Sequence, residues 1–316
     1  YGGGGGYGGG GGYGGGGYGG GGGNYGGGGF NGGFNGGGGG DPMMKGSVRR
    51  GGDLSALKKD DDSPADVMAW RAEHEITVAG GCKERYARFE DAPLPPRLLA
   101  SLSSAGFATP SAIQGQAWPP ALAGSDVIGV AKTGSGKTLG FLVPAFKQLC
   151  GNNPGPMPGQ PNAPRVLVLA PTRELATQIY DEGAKFAPAY GCRVCCCYGG
   201  APKYQQVKAL RALHSRGVVV ATPGRLNDLI EARKVDLSEL EILVLDEADR
   251  MLDMGFEPQI RRIVCQEDMP QTGARQTFMF SATFPREMQI LAGDFLDNYI
   301  FLTVGRVGSA LSLIHI

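Results

Sequence analysis

The sequence predicts an α/β domain with a parallel sheet and helices on both faces. Three observations predict it. The run Glu241-Ile242-Leu243-Val244-Leu245 is almost wholly apolar and ends in Asp246-Glu247-Ala248-Asp249. A strand apolar on both faces belongs inside a parallel sheet, and acids at its carboxyl end stand where open α/β sheets bind ligands. Upstream, the strand-like Val127-Ile128-Gly129-Val130 runs into Ala131-Lys132-Thr133-Gly134-Ser135-Gly136-Lys137-Thr138, and then into a helical stretch from Leu139 to Cys150. Strand-like and helical stretches then alternate as far as Thr303.

The loop after Val130 carries chemistry of its own. Glycines let backbone N–H groups curl round a phosphate, and the following helix adds its positive N-terminal end. Ala131, Thr133, Gly134, Ser135 and Gly136 form the candidate cradle, with Ala131 standing where the usual pattern has its first glycine. In that pattern Lys137 reaches the β- and γ-phosphates and the Thr138 hydroxyl ligates Mg²⁺. Taken alone, Asp246 to Asp249 reads better as a surface turn after a core strand. Three carboxylates at a buried strand end are costly without a cation, and the upstream loop supplies the reason for one.

In chain order, strands are expected at Val127–Val130, Val166–Leu169, Val194–Tyr198, Val218–Ala221, Ile242–Leu245, Thr277–Phe280 and Ile300–Thr303. Helices are expected at Lys137–Cys150, Arg173–Phe186, Lys203–His214, Arg225–Ala232, Glu257–Val264 and Arg286–Leu296, and residues 151–164, rich in Gly, Pro and Asn, read as a loop. Residues 1–40 are Gly broken only by spaced Tyr, Phe and Asn, too little apolar surface to offset the entropy of ordering, so disorder is expected. The spaced aromatics suit stacking on RNA bases or weak self-association, and a plain spacer fits equally well. The tract has no Arg, hence no charge to drive nucleic-acid affinity. Residues 41–88 read as a charged, partly ordered lead-in.

The chain carries 30 basic and 30 acidic residues, so any electrostatic binding must come from local clusters. No apolar run of membrane-spanning length occurs, and the N-terminus has no signal-peptide pattern. Seven cysteines include Cys195-Cys196-Cys197 inside an expected buried strand, where neighbours face opposite sides and do not jointly hold a metal. They read as small core hydrophobes of a reducing compartment. The chain starts at Tyr1 rather than Met, so an upstream start is expected, and residues 310–316, ending Leu311-Ser312-Leu313-Ile314-His315-Ile316, read as a sequencing artefact.

Further short motifs stand in a fixed order. They are Gly106-Phe107, Pro110 and Ile113-Gln114; Ala131 to Thr138; Pro171-Thr172-Arg173-Glu174-Leu175-Ala176; Gly199-Gly200; Thr222-Pro223-Gly224-Arg225; Asp246 to Asp249; and Ser281-Ala282-Thr283. With these, the chain from about Phe89 to Val307 resembles a DEAD-box ATP-dependent RNA helicase. The resemblance implies a first RecA-like domain over 89–307, a second RecA-like domain missing from the chain, ATP and Mg²⁺ as cofactors, and RNA as partner in the nucleus or cytoplasm. It implies that Phe89 stacks on adenine and that the Gln114 amide reads the adenine edge. Asp246 joins Thr138 in holding Mg²⁺, Glu247 orients the attacking water, and Asp249 pairs with Ser281 and Thr283. Pro171, Thr172, Arg173, Gly199, Gly200, Thr222, Pro223, Gly224 and Arg225 are the expected RNA contacts, made to sugar and phosphate and so nearly blind to base sequence. Two other readings compete: a non-unwinding RNA clamp switched by ATP, and a DNA- or protein-directed P-loop ATPase. Phe89, Gln114 and Thr222 to Arg225 argue against the latter.

Overall fold

The computed structural model describes residues 64–151, 163–213, 217–265 and 268–305, together with Gly2. The expectations for the glycine tail, residues 41–63, most of the 151–164 loop, His214 and residues 306–316 fall outside the described residues.

Seven strands form where two-sided apolar runs demand them: β2 (Val127–Ala131), β3 (Val166–Leu169), β4 (Arg193–Cys197), β5 (Gly217–Ala221), β6 (Ile242–Leu245), β7 (Gln276–Ser281) and β8 (Ile300–Val304). All seven run parallel. A further strand, β1 (Ile76–Ala79), lies in the segment read as lead-in and pairs antiparallel with β8, so the sheet is mixed and its order is β1-β8-β2-β7-β6-β3-β5-β4. The pleat divides each inner strand between two cores. Val166 and Val168 enter one cluster, Leu167 and Leu169 the other, as period-two alternation requires. β4 is an edge strand rather than the buried one expected, and its outer residues are only half covered. Cys195 and Cys197 share its inner face with their Sγ atoms 3.8 Å apart, and the cysteines whose side chains are described are all free.

Helices cover both faces. One layer holds α2 (Pro96–Ser104), α3 (Ala112–Leu122), α4 (Lys137–Gly151) and α5 (Arg173–Phe186). The other holds α6 (Lys203–Arg211), α7 (Pro223–Glu231), α8 (Ala248–Asp253), α9 (Glu257–Val264) and α10 (Arg286–Phe295). Pro223 at the first helical position starts α7 two residues before the expected Arg225, since its fixed φ suits a helix start and its missing N–H costs nothing there. α3 has no polar face, because every residue from Ile113 to Ala121 is buried. It begins with a capping box in which the Ser111 N–H donates to Gln114 Oε1 at 3.0 Å. The lead-in braces α3. From α1 (Ala65–Glu73), Arg71 donates to Gln116 Oε1 at 2.9 Å and to the Cys82 carbonyl at 2.8 Å.

At the amino-terminal edge of the sheet, Asp126 pins three elements. Its carboxylate accepts from the Thr277 N–H at 2.7 Å and the Asp297 N–H at 2.8 Å, and its carbonyl accepts from the Ile300 N–H at 2.8 Å. Burial pushes its carboxyl up to about 6, against the pull of those two N–H donors. A folded-state value above the ordinary one means that the folded state binds the proton more tightly, so this group adds stability as pH falls through about 6. Asn at this position turns an NH₂ group toward one of the two N–H donors. We expect Asp126→Asn to cost about 1–3 kcal/mol in urea denaturation. The gap to the parent should widen between about pH 7 and pH 5, because only the parent gains a proton there. A gap that stays constant over that range contradicts the assignment.

Candidate nucleotide and nucleic-acid site

The glycine loop joins β2 to α4 at the carboxyl edge of the sheet. Gly134 and Gly136 hold φ of 76° and 92°, the left-handed region in which L side chains are strained. A Cβ on Gly136 would also stand 2.6 Å from both Gln114 Nε2 and Ser111 Oγ. Lys132, Thr133 and Gly134 are exposed, whereas the Ser135 hydroxyl is buried without a hydrogen-bond partner. Lys137 opens α4 and is buried; its Nζ donates to the Ala131 carbonyl at 2.6 Å and to the Ser281 carbonyl at 3.4 Å. Burial lowers its pKa, and the charges of Asp246, Asp249 and Glu247 partly restore it.

Gln114 and Phe89 stand differently from each other with respect to this loop. The Gln114 amide is buried and occupied at both ends, with Oε1 on the Ser111 N–H and Nε2 donating to the Gly136 carbonyl at 3.0 Å. It braces the loop from α3. Phe89 is 4% exposed, in a short 3₁₀ turn, with its ring centroid 5.8 Å from that of Trp118. The structure does not bring its ring to the loop surface. Its link to the loop is indirect, through Trp118, whose Nε1 donates to the Leu139 carbonyl of α4 at 3.2 Å.

The acids follow β6, beside β7. Asp246 is buried, takes its register from the Leu169 carbonyl at 3.0 Å, and accepts from the Glu247 N–H at 3.0 Å. Burial pushes its carboxyl up to about 7, with Lys137 pulling it back. Glu247 sits in the left-handed region at φ 49°, and its carboxylate is held by Arg250 Nη1 at 3.1 Å. Asp249 Oδ2 accepts from the Thr283 hydroxyl at 2.8 Å, the Thr283 N–H at 2.9 Å and the Ala282 N–H at 3.2 Å. Burial pushes this carboxyl up, but the Thr283 and Ser281 hydroxyls and the backbone N–H groups of Thr283 and Arg250 outweigh it and hold the group below the usual range. Ser281 is buried, offers Lys137 its carbonyl, and places its hydroxyl beside Asp249. A divalent cation fits this edge. Among the described residues no group of three or more His, Cys, Asp or Glu side chains gathers as a metal site; the half-buried Thr138 hydroxyl and the buried Asp246 carboxylate are each hard-oxygen donors of the kind Mg²⁺ takes.

The three expected RNA junctions lie at the carboxyl ends of β3, β4 and β5, which are neighbours in the sheet. Thr172 caps α5 by accepting the Leu175 N–H at 3.2 Å; Pro171 beside it is buried, and the exposed Arg173 stacks its guanidinium 4.7 Å from the Tyr198 ring centroid. Gly199 and Gly200 are exposed after β4. Thr222 ties to the Cys197 carbonyl through its N–H at 3.0 Å, ahead of buried Pro223 and exposed Gly224. Arg225 is not a free cation. It donates to Gln206 Oε1 at 2.8 Å and to the Ala201 carbonyl at 3.2 Å, and it pairs with Asp228 at 3.6 Å.

Residues 111–291 match the family described as DEAD/DEAH box helicase. The chain belongs to that family. Over 248 residues it is 49% identical to "DEAD-box ATP-dependent RNA helicase 40" of Arabidopsis thaliana, covering 78% of this chain and 22% of that protein. Over 244 residues it is 46% identical to "ATP-dependent RNA helicase DBP2" of Mycosarcoma maydis, covering 77% and 43%. Among solved structures, the ADP-bound RNA helicase Prp28 of Chaetomium thermophilum superposes with a TM-score of 0.69 at 36% identity, covering 78% of this chain and 58% of that one. The chain therefore spans less than half the length of these two sequence relatives. The helicase-family core is RecA-like, as expected.

Three features of this helicase-family edge were invisible in the sequence: the Arg250 clamp on Glu247, the Gln114 brace on Gly136, and the neutralised Arg225. Each depends on which neighbour a side chain meets. We expect Gly136→Ala to strain the backbone and drive a methyl group into Gln114 and Ser111, costing about 1–3 kcal/mol by thermal or urea denaturation. A fully stable Gly136→Ala protein contradicts this account of the loop.

Proposed function

We propose that this chain provides the ATP-binding and part of the RNA-binding half of an ATP-dependent RNA helicase. The observation that carries the reading is the convergence of Lys137, Thr138, Asp246 and the Asp249–Thr283 pair on one sheet edge. In this reading Lys137 leaves the Ala131 carbonyl for the β- and γ-phosphates, while N–H groups of residues 132–138 surround them. Thr138 and Asp246 hold Mg²⁺, which when bound neutralises phosphate charge. Glu247, aimed by Arg250, orients or deprotonates the attacking water. Gln114 turns its amide from Gly136 to the adenine edge. Phe89 supports the base only if its ring leaves Trp118, and otherwise it acts through packing.

RNA lies along the β3, β5 and β4 ends, where Pro171, Thr172 and Arg173, Gly199 and Gly200, and Thr222, Pro223 and Gly224 offer N–H groups and small surfaces to phosphate and sugar. Arg225 holds the Ala201 turn in place. Asp249, joined to Ser281-Ala282-Thr283, links the ATP half of the edge to the RNA half. The seat of action is a reducing compartment, the nucleus or cytoplasm, in keeping with the free cysteines. No helix among the described residues is long and apolar enough to cross a membrane.

Family resemblance implies that a second RecA-like domain supplies arginine fingers, which are worth roughly 10³–10⁵ in rate. The 316-residue chain alone is therefore expected to bind ATP·Mg²⁺ weakly, turn it over very slowly and separate no strands. Joined to such a second domain, it should hydrolyse ATP faster when RNA is added. In that context Glu247→Gln should keep ATP binding within about threefold and lower hydrolysis at least 100-fold, read by nucleotide titration and phosphate release. If RNA leaves hydrolysis unchanged, or if Glu247→Gln turns over like the parent, the reading fails.

A further inference from the structure

We infer that the outward face of α6 is an additional RNA-binding surface, a basic stripe led by an aromatic side chain. α6 reads Lys-Tyr-Gln-Gln-Val-Lys-Ala-Leu-Arg, with Lys203, Lys208 and Arg211 as cations and no acid. In a chain with 30 bases and 30 acids, such a local surplus is not a consequence of composition. Tyr204, Lys208 and Arg211 stand at i, i+4 and i+7 and so share one face. Gln206 and Leu210 are buried on the other. Tyr204 is 71% exposed, and Lys208 and Arg211 are exposed with no hydrogen bond or ion pair among the described residues. Beyond the helix end, exposed Arg193 donates to the Ala212 carbonyl at 3.1 Å and adds a fourth cation.

The stripe rests on the RNA reading above, because it begins where the Gly199-Gly200 junction ends. Gln206 Nε2 donates to the Tyr198 carbonyl at 3.0 Å and Arg225 holds the Ala201 carbonyl, so α6 is fixed rigidly to that junction. Lys203 Nζ donates to the Asp228 carbonyl at 2.8 Å and Arg225 is held by its own neighbours, so Lys208 and Arg211 are the first cations after Gly199-Gly200 with no hydrogen bond or ion pair among the described residues. Free cations suit phosphates in any sequence, and an exposed Tyr ring suits the face of an unpaired base. Single-stranded RNA leaving the junction meets both. An acidic polypeptide would use the cations and leave the ring idle.

The test measures binding of a fluorescein-labelled uridine oligomer to the chain, with a non-hydrolysable ATP analogue present, across a salt series. Parent, Tyr204→Ala, Tyr204→Phe and the Lys208→Gln/Arg211→Gln double variant are compared after melting curves establish equal stability. Tyr204→Ala is expected to weaken binding roughly tenfold, Tyr204→Phe hardly at all. The double variant should flatten the slope of log K against log salt by about 1.4, two phosphates' worth for a single strand. An abasic oligomer should bind the parent and Tyr204→Ala alike. If the parent binds RNA and all variants match it in affinity and slope, the stripe is overturned while the RNA reading stands. If polyglutamate competes as well as RNA, the surface is a general polyanion site and the inference is overturned. If the parent itself binds no RNA, the RNA reading falls and takes the stripe with it.

Discussion

Two opposite charges, Lys137 and Asp246, are buried at the same end of the same sheet, and the rest of the structure follows from making that tolerable. Burial pushes each toward neutrality, the lysine downward and the aspartate up to about 7. Either charge alone in that position would be destabilising by several kcal/mol. The fold answers with backbone carbonyls: Ala131 and Ser281 both accept from Lys137, and they lie at the ends of the adjacent strands β2 and β7. Asp246 comes from β6, the next strand. The strand order β2-β7-β6 is thus what lets a lysine and an aspartate that are far apart in sequence share one buried edge.

The same order divides the edge in two. β2, β7 and β6 carry the charged half, while β3, β5 and β4 carry junctions of glycine, proline and threonine. Bonds cross-brace each half. Asp249 gathers three donors from Ala282 and Thr283, which locks the end of β6 to the end of β7. Arg225 does the equivalent between α7 and the turn before α6. The halves meet at β6 and β3, where the Asp246 N–H donates to the Leu169 carbonyl. A few hydrogen bonds thus join the two halves into one contiguous edge.

How much of this was legible depended on whether a residue's environment follows from its neighbours in sequence. β2, β3, β5 and β6 were legible because burial on both faces writes an uninterrupted apolar run. β1 was not: four residues, one of them exposed, carry too little pattern, and its partner β8 lies more than two hundred residues away. α3 escaped because a helix buried on every side has no amphipathic period, and Pro119 and Pro120 inside it argue against a helix altogether. At the site, Lys137 and Asp246 were legible, since each is fixed by a strand end and a short turn, whereas the Asp249–Thr283 pairing was implied by the family resemblance alone. Gln114 spends both ends of its amide on Ser111 and Gly136, partners that its sequence neighbourhood does not announce. Arg225, expected to add charge, is likewise consumed by its neighbours. Sequence names the functional group but not its bonds.

Glu247 is where local preference is overruled most plainly. A non-glycine residue at φ 49° carries strain on the order of 1 kcal/mol or more. Glycine would relieve it at once. The strain persists because both flanks are fixed: the Asp246 N–H is tied to Leu169, and the Glu247 carbonyl accepts from the Met251 N–H at 3.0 Å as α8 begins. Strand and helix therefore leave this one residue to absorb the whole change of direction. The left-handed backbone turns the Glu247 side chain toward Arg250, which holds its carboxylate by an ion pair instead of leaving it to range through solvent. A glycine here would relax the backbone and lose the carboxylate that, unlike those of Asp246 and Asp249, is neither buried outright nor engaged by the Ser281-Ala282-Thr283 segment. The strained backbone and the ion pair that aims the carboxylate are what support the role proposed above for Glu247.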